Sequence, residues 1–235
     1  MSIPFFYKEN LDSTATELLL DEDASKHIVQ VLRMQNKEQL QLTNGMGDLF
    51  TAEIKDNNRK KCTVSVLKVE HITRPATKIT VALSLIKNNN RFEWFLEKAT
   101  EIGVAKIVPL ICDRTEKNVF KADRMKSILV SAMLQSQQSW LPILQEPIKF
   151  LSFVNQTNVA NKFIAHCENM DAKVQLLSYQ PFTDSIILIG PEGDFSTDEI
   201  SVALKNNFLP VALGNTRLRT ETAGVVAATL LAMAQ

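Results

Sequence analysis

Ile189-Gly190-Pro191-Glu192-Gly193-Asp194-Phe195-Ser196 and, farther on, Leu213-Gly214-Asn215-Thr216-Arg217-Leu218-Arg219-Thr220-Glu221-Thr222-Ala223 decide how this chain is read. Glycine is scarce, 7 in 235 residues, yet Gly190, Gly193, Gly214 and Gly224 crowd this one region. Each segment follows a short apolar run that suits a buried strand and leads into a helical pattern. A glycine at such a turn has no Cβ, so backbone approaches a ligand closely. Two such turns at adjacent strand ends build one cleft.

Ser196-Thr197-Asp198-Glu199 reads as a capping box, which starts a helix directly after the first turn. Thr220 suits the cap of a second helix, with Glu221 in its first turn. Ala223 through Ala234 is nearly all apolar, so that helix is expected to be buried against a sheet or a partner subunit. Familiar phosphate motifs fail. Gly190-Pro191-Glu192-Gly193 lacks the lysine and hydroxyl of a P-loop and the spacing of a dinucleotide fingerprint. Neither loop supports a small-molecule phosphate enzyme.

Working outward, strands alternate with helices after residue 78, the rhythm of an α/β domain with a mostly parallel sheet. Expected strands are 79–85, 106–112, 163–166, 185–189 and 209–213. Phe92, Phe95, Leu96, Ala99 and Ile102 recur at helical spacing, with Gly103 as the stop. A second helix is expected from Ala122 to Gln138. Residues 1–72 look different. Leu40–Thr43 and Phe50–Ile54 alternate with period two around the turn Asn44-Gly45-Met46-Gly47-Asp48, and Cys62–Val69 gives a third strand. A helix with Ser25, Ile28, Val29, Val31 and Leu32 on one face interrupts them, and Arg33 lies near its end. Short strands of this kind suggest a small barrel. Residues 73–78, Thr73-Arg74-Pro75-Ala76-Thr77-Lys78, form the expected linker, and 79–235 the second domain.

Composition is that of a globular protein, 45% hydrophobic and 22% charged, with net charge zero. Any footprint for nucleic acid must therefore be local. No apolar run approaches the ~20 residues that span a bilayer, and no secretory signal opens the chain. Cys62, Cys112 and Cys167 are isolated, which fits reduced thiols in the cytoplasm. His27, His71 and His166 are too scattered for a metal site. His166, at a strand end, is the histidine expected to line the cleft.

Gly190-Pro191-Glu192-Gly193-x-Phe195-Ser196-x-x-Glu199 with Leu213-Gly214-(x)3-Leu218-Arg219-Thr220-Glu221-Thr222-Ala223 closely resembles the bacterial 16S ribosomal RNA uracil-N3 methyltransferases of the SPOUT superfamily. Lys87-(x)3-Arg91-(x)6-Lys98-Ala99-Thr100-Glu101-Ile102-Gly103-Val104 and Pro109 match that family's central signature. Gln135-Ser136 before Leu141-Pro142, His27-(x)3-Val31-Leu32-Arg33 and the Asn44-Gly45-x-Gly47 turn also fit. Matches thus span nearly the whole chain.

The resemblance implies a PUA-like RNA-binding barrel, a methyltransferase domain whose chain forms a trefoil knot, and a homodimer. It implies S-adenosylmethionine held at Ile189, Gly190, Pro191, Glu192, Gly193, Leu213, Gly214, Leu218, Arg219 and Thr220, with His166 beside them. The implied reaction is methylation of a uridine N3 in 16S ribosomal RNA of the small subunit, without a metal or a membrane. Arg219 is the candidate that stabilises a uracil anion, and Glu221 the group that orients it. Arg33, Arg59, Lys60, Lys61, Lys87, Arg91 and Arg114 are the candidate RNA contacts. Asp194 stands where the family has a further glycine, so its side chain is expected to point away from the cofactor. Gln138 and Thr216 replace basic residues, with Arg217 next to the latter. Rival readings are a SPOUT enzyme acting on another ribosomal or transfer RNA nucleotide, and a non-catalytic RNA-binding ribosome-assembly protein.

Overall fold

A computed structural model describes residues 3–116, 119–168, 173–179 and 183–233. They fall into two compact units, divided at Arg74–Pro75, and Met133–Leu141 belongs with the first of them.

In the first unit, β1 (Phe5–Tyr7), β2 (Glu17–Leu19), β3 (Gln39–Thr43), β4 (Asp48–Asp56) and β5 (Thr63–His71) form one sheet in the order β1-β3-β4-β5-β2. Period-two alternation sends Leu40, Leu42, Phe50, Ala52, Ile54 and Val64 into a common core with Phe6, Leu18 and Ile28. Burying each large side chain stabilises the unit by roughly 1.5–3 kcal/mol. The β3–β4 turn is tied by Asn44, whose Oδ1 accepts the N–H groups of Met46 and Asp48 at 2.8 and 3.2 Å.

The expected helix near residue 28 is shorter and differently wound. Helix α1 (Glu22–Lys26), capped by the Asp21 carboxylate, passes into a π-helical turn at His27–Val31. Leu32 N–H bonds His27 C=O five residues back. The wider turn rotates the following side chains off the core face. Ile28 is buried, whereas Val31 and Leu32 are 67% and 42% exposed. Arg33 then takes φ +56°.

The segment 133–141 completes this unit through backbone. Gly47 N–H bonds Ser139 C=O at 2.9 Å, and Leu141 N–H bonds Gly45 C=O at 2.8 Å. Trp140 donates Nε1–H to Ile72 C=O at 2.8 Å, and the Arg74 guanidinium lies 5.0 Å from its ring centroid. A Cβ at residue 47 would come within 2.5 Å of the indole. Only glycine lets Trp140 lie there.

The second unit holds β6 (Ile79–Ser84), β7 (Lys106–Ile111), β8 (Ile143–Leu144), β9 (Ile148–Lys149), β10 (Asn161–Ala165), β11 (Val174–Gln175), β12 (Ser185–Ile189) and β13 (Leu209–Ala212). They pair in the order β11-β13-β10-β12-β6-β7-β8, with β9 also on β7, and among the described residues every pairing in this sheet is parallel. β12 is buried at all five positions, as expected of a strand covered on both faces.

Helix α2 (Asn89–Ile102) is capped by the Asn88 side chain and stopped by Gly103 at φ +91°. Helix α3 (Ala122–Gln135) ends three residues before the expected Gln138. Gln137 adopts φ +55°, and Gln138 N–H turns back to Met133 C=O. Helices α4 (Phe150–Gln156) and α5 (Thr197–Lys205) follow, the latter with both arms of the Ser196/Glu199 capping box formed. Helix α6 (Thr220–Met233) packs on α2 and β6. Gly224 makes this possible, because a Cβ there would lie 2.5 Å from Leu83 Cδ1 and 2.7 Å from the Phe95 ring. Of the apolar tail read from sequence, Ala234 lies outside the described residues.

Candidate active site

The neighbouring strands β13, β10 and β12 end side by side, and their carboxyl ends open on one cavity of about 760 Å3. Ligands of open α/β sheets bind outside such ends, in pockets of roughly 300–1,000 Å3. β10 contributes Ala165, His166 and Cys167. β12 contributes Ile189 and then Gly190, Pro191, Glu192 and Asp194. β13 contributes the run from Val211 to Thr220. The two glycine-bearing segments thus line the same space.

The β12 loop is braced from behind. Asp194 N–H closes a turn on Pro191 C=O at 3.0 Å. Arg114, just beyond β7, donates Nη1–H to the carbonyls of Gly193 and Phe195 at 2.7 and 3.3 Å. Buried Glu199 accepts from Asp113 N–H at 3.0 Å and from Ser196 N–H at 2.9 Å. Glu192 Oε1 accepts from Lys87 N–H at 3.2 Å. The cap of α5 therefore also fixes the loop that precedes it.

In the second loop Gly214 has φ +143°, with nothing within 4 Å of where a Cβ would stand. Its role is backbone geometry facing open space. Arg219 is exposed and lines the cavity, and its carbonyl accepts Ala223 N–H at 2.7 Å, which opens α6. Glu221 is buried in the first turn of α6 and does not line the cavity. Its Oε1 lies 3.6 Å from Nε of Arg91, which does.

His166 is 8% exposed, and neither ring nitrogen has a hydrogen-bond partner in the structure. Burial pushes its pKa below the ordinary 6.5, and Lys173 adds to this. Asp194 and Glu168 oppose it. A neutral imidazole in a cavity wall offers one donor and one acceptor. Two unsatisfied buried nitrogens are what a polar ligand satisfies. The wall is held by Lys173, whose Nζ donates to His166 C=O at 2.6 Å.

The expected cofactor residues Ile189, Gly190, Pro191, Glu192, Leu213, Gly214, Leu218, Arg219 and Thr220 are together, with His166. Gly193 is not on the lining; it faces the Arg114 side chain. Among the expected RNA contacts, Arg91 lines the cavity. Arg114 spends one nitrogen on the loop, and Lys87 pairs with Glu116 at 2.6 Å. Arg33, Arg59, Lys60 and Lys61 belong to the first unit and are exposed. Asp194 lines the cavity, and its side chain turns to Cys167 N–H.

Sequence reasoning missed Lys173 and Cys167 as lining residues. The available signal was adjacency to strand ends. Arg91, Lys173, Arg217 and Arg219 outnumber Glu192 and Asp194 around the cavity, which favours a ligand or transition state carrying negative charge. Among the described residues no His/Cys/Asp/Glu group suits a metal ion, and no helix is long and apolar enough to cross a membrane.

Comparison with known proteins agrees with this architecture. Residues 73–232 match the model of an RNA methyltransferase domain, and residues 20–67 that of an RNA methyltransferase PUA domain. A structure described as a probable rRNA-methyltransferase from Porphyromonas gingivalis superposes with a TM-score of 0.92 at 38% identity, covering 99% of this chain and 98% of that one. The Ribosomal RNA small subunit methyltransferase E of Neisseria gonorrhoeae, solved bound to S-adenosyl methionine, gives 0.86 at 26% identity over 97% and 95%. The Rickettsia conorii protein of the same name is 29% identical over 220 residues, 90% of this chain and 88% of its own. With its PUA domain, its parallel α/β sheet and its strand-end cavity, this chain belongs to the RNA methyltransferase family.

Proposed function

We propose that this protein transfers a methyl group from S-adenosylmethionine to N3 of a uridine in 16S ribosomal RNA of the small subunit. The observation that carries the reading is the meeting of three strand-end loops around one cavity, with two unsatisfied imidazole nitrogens in its wall and Arg91 and Arg219 on its lining. The relatives named for small-subunit ribosomal RNA methylation, one solved with the cofactor, support it.

When bound, the cofactor supplies a methyl group already activated by its sulfonium. The protein's work is then to position, to exclude water and to stabilise charge. Gly190–Glu192 and Leu213–Leu218 hold the donor through backbone, and His166 takes a polar group of it. The base must leave its stack, because N3 lies on the pairing edge. N3 gives its proton to solvent, and Arg219 stabilises the charge that this leaves on the uracil oxygens. Glu221 holds Arg91 at the same cavity. We further propose a trefoil knot through these loops, a homodimer and a cytoplasmic site of action. RNA capture then falls to the PUA domain, through Arg33 and the exposed Arg59-Lys60-Lys61 run. Affinity carried by such phosphate contacts falls steeply with salt.

Mass spectrometry of 16S ribosomal RNA from a strain lacking the protein tests the reading. Loss of one 3-methyluridine, restored by the wild-type gene, is expected. An unchanged 3-methyluridine content overturns it.

A further inference from the structure

We propose that Asp194 is a positioning residue for the cofactor: its carboxylate clasps the His166–Cys167 end of β10 to the Gly190–Phe195 loop, and so fixes the wall that carries the His166 ring. The proposal rests on the functional reading above and deepens it.

Asp194 has φ +65°, a conformation that costs free energy for any residue with a Cβ. Such a conformation persists only where surrounding contacts over-determine it. Here both carboxylate oxygens are engaged. Oδ1 accepts Phe195 N–H at 2.8 Å, and Oδ2 accepts Cys167 N–H at 2.7 Å across 27 residues of sequence. Both bonds go to an ionised acceptor and are of the stronger, charge-assisted kind. A Cβ at Gly190 would lie 3.3 Å from Oδ1, so the bare glycine leaves the carboxylate its room.

The clasp matters because the buried His166 ring is held by packing alone, with no hydrogen bond to fix its nitrogens. Neither nitrogen is bonded within the protein, so the imidazole takes its place from the backbone at 165–167. Strand pairing holds that backbone as far as Ala165, with Ile189 on one side and Val211 on the other; past the strand end Asp194 holds it at Cys167 N–H and Lys173 at His166 C=O. The charged groups that act on His166 are Lys173, Asp194 and Glu168. Asp194 thus sets both the position of the ring and part of its proton affinity. A merely tolerated substitute for glycine does neither.

The test compares Asp194→Gly and Asp194→Asn with the wild type. Asp194→Gly removes the backbone strain along with the clasp. Asp194→Asn keeps the shape, the tolerance of positive φ and one acceptor, and removes the charge. S-adenosylmethionine affinity is measured by calorimetry, and the His166 ring titration by NMR without cofactor. For Asp194→Gly, affinity is expected to fall at least about tenfold, the loss of one charge-assisted hydrogen bond. KM for the cofactor rises while kcat at saturation stays within about twofold. Asp194→Asn falls between the two, and in both variants His166 titrates at lower pH. Equal or tighter binding by Asp194→Gly, or an unchanged His166 titration in Asp194→Asn, overturns the clasp. A wild-type protein that binds no S-adenosylmethionine overturns the functional reading instead, and the His166 titration still decides for or against the clasp.

Discussion

Nε of Arg91 lies 3.6 Å from Oε1 of Glu221, while Oε2 of the same buried carboxylate has no hydrogen-bond partner in the structure. The first turn of α6 favours a negative charge, but a half-satisfied buried carboxylate costs stability. On the proposed function, Glu221 serves the site rather than the fold. Glu221→Gln is expected to leave stability unchanged or raise it by up to about 1 kcal/mol. Methyl transfer should fall at least about tenfold. Thermal melts and single-turnover assays read the two effects, and a variant that is destabilised yet fully active contradicts this account.

Arg219 gives the complementary case. Its side chain is exposed, so Arg219→Ala should change stability by no more than about 0.5 kcal/mol. Loss of a group that stabilises transition-state charge costs about 10²–10³ in rate. Near-normal single-turnover methylation by the alanine variant would remove Arg219 from the mechanism.

Gly193 and Gly214, in the two loops proposed to hold the cofactor, are not equivalent. Gly193 has no positive φ, and an added Cβ would meet only ordinary contacts with Arg114 at 3.4 and 3.5 Å. Gly193→Ala should leave S-adenosylmethionine affinity within about twofold. Gly214→Ala places a Cβ on a φ of +143°, at a cost of about 1–2 kcal/mol, in the loop proposed to hold the donor. Calorimetry on both variants checks the order, and equal affinities would refute it.

Cys167 is exposed on the cavity lining, whereas Cys62 and Cys112 are buried. Burial pushes all three thiols above the ordinary range, with Asp194 adding to the effect at Cys167. Iodoacetamide at mildly alkaline pH should therefore label Cys167 slowly, ahead of the other two. S-adenosylmethionine should slow that labelling. Peptide mapping with and without cofactor measures it, and labelling of Cys167 indifferent to the cofactor counts against the assigned cavity.

His166 sets a pH dependence whose sign follows from its depressed pKa. The unfolded chain takes up a proton near 6.5 and the folded protein only at lower pH. Stability contributed by the neutral ring is thus complete above 6.5 and declines as pH falls through the folded value, by at most about 1.4 kcal/mol per pH unit. Urea midpoints at pH 7.5 and 5.5 should differ less for His166→Gln than for the wild type. An identical pH response in the two proteins would show that another group is responsible.

What was legible in the sequence was local. The apolar run Ser185–Ile189 and the Ser196/Glu199 box are read within a few residues, and each appears as expected. Helix α2 and its Gly103 stop are equally self-contained. The rest depends on partners distant in sequence. No periodicity tells that Trp140 inserts against Gly47, or that Lys173 crosses to the carbonyl of His166. Val31 and Leu32 look like core by spacing, but one π turn rotates them outward. Asp194 has the composition of a surface loop residue. Only the fold shows that its carboxylate reaches another strand end. The motif resemblance located the cavity loops as segments, while the roles of Arg91 and Arg114 waited on geometry.

The first unit is assembled from two stretches of chain, residues up to Arg74 and then Met133–Leu141. At roughly 5–20 residues per second, the ribosome releases the segment bearing Trp140 several seconds after the strands it completes. Until then the N–H of Gly47 and the carbonyls of Gly45 and Ile72 lack the partners seen in the finished protein. A nascent chain stalled before residue 133 should accordingly expose the edge around Gly47 to protease, and one stalled after the whole segment has emerged should protect it.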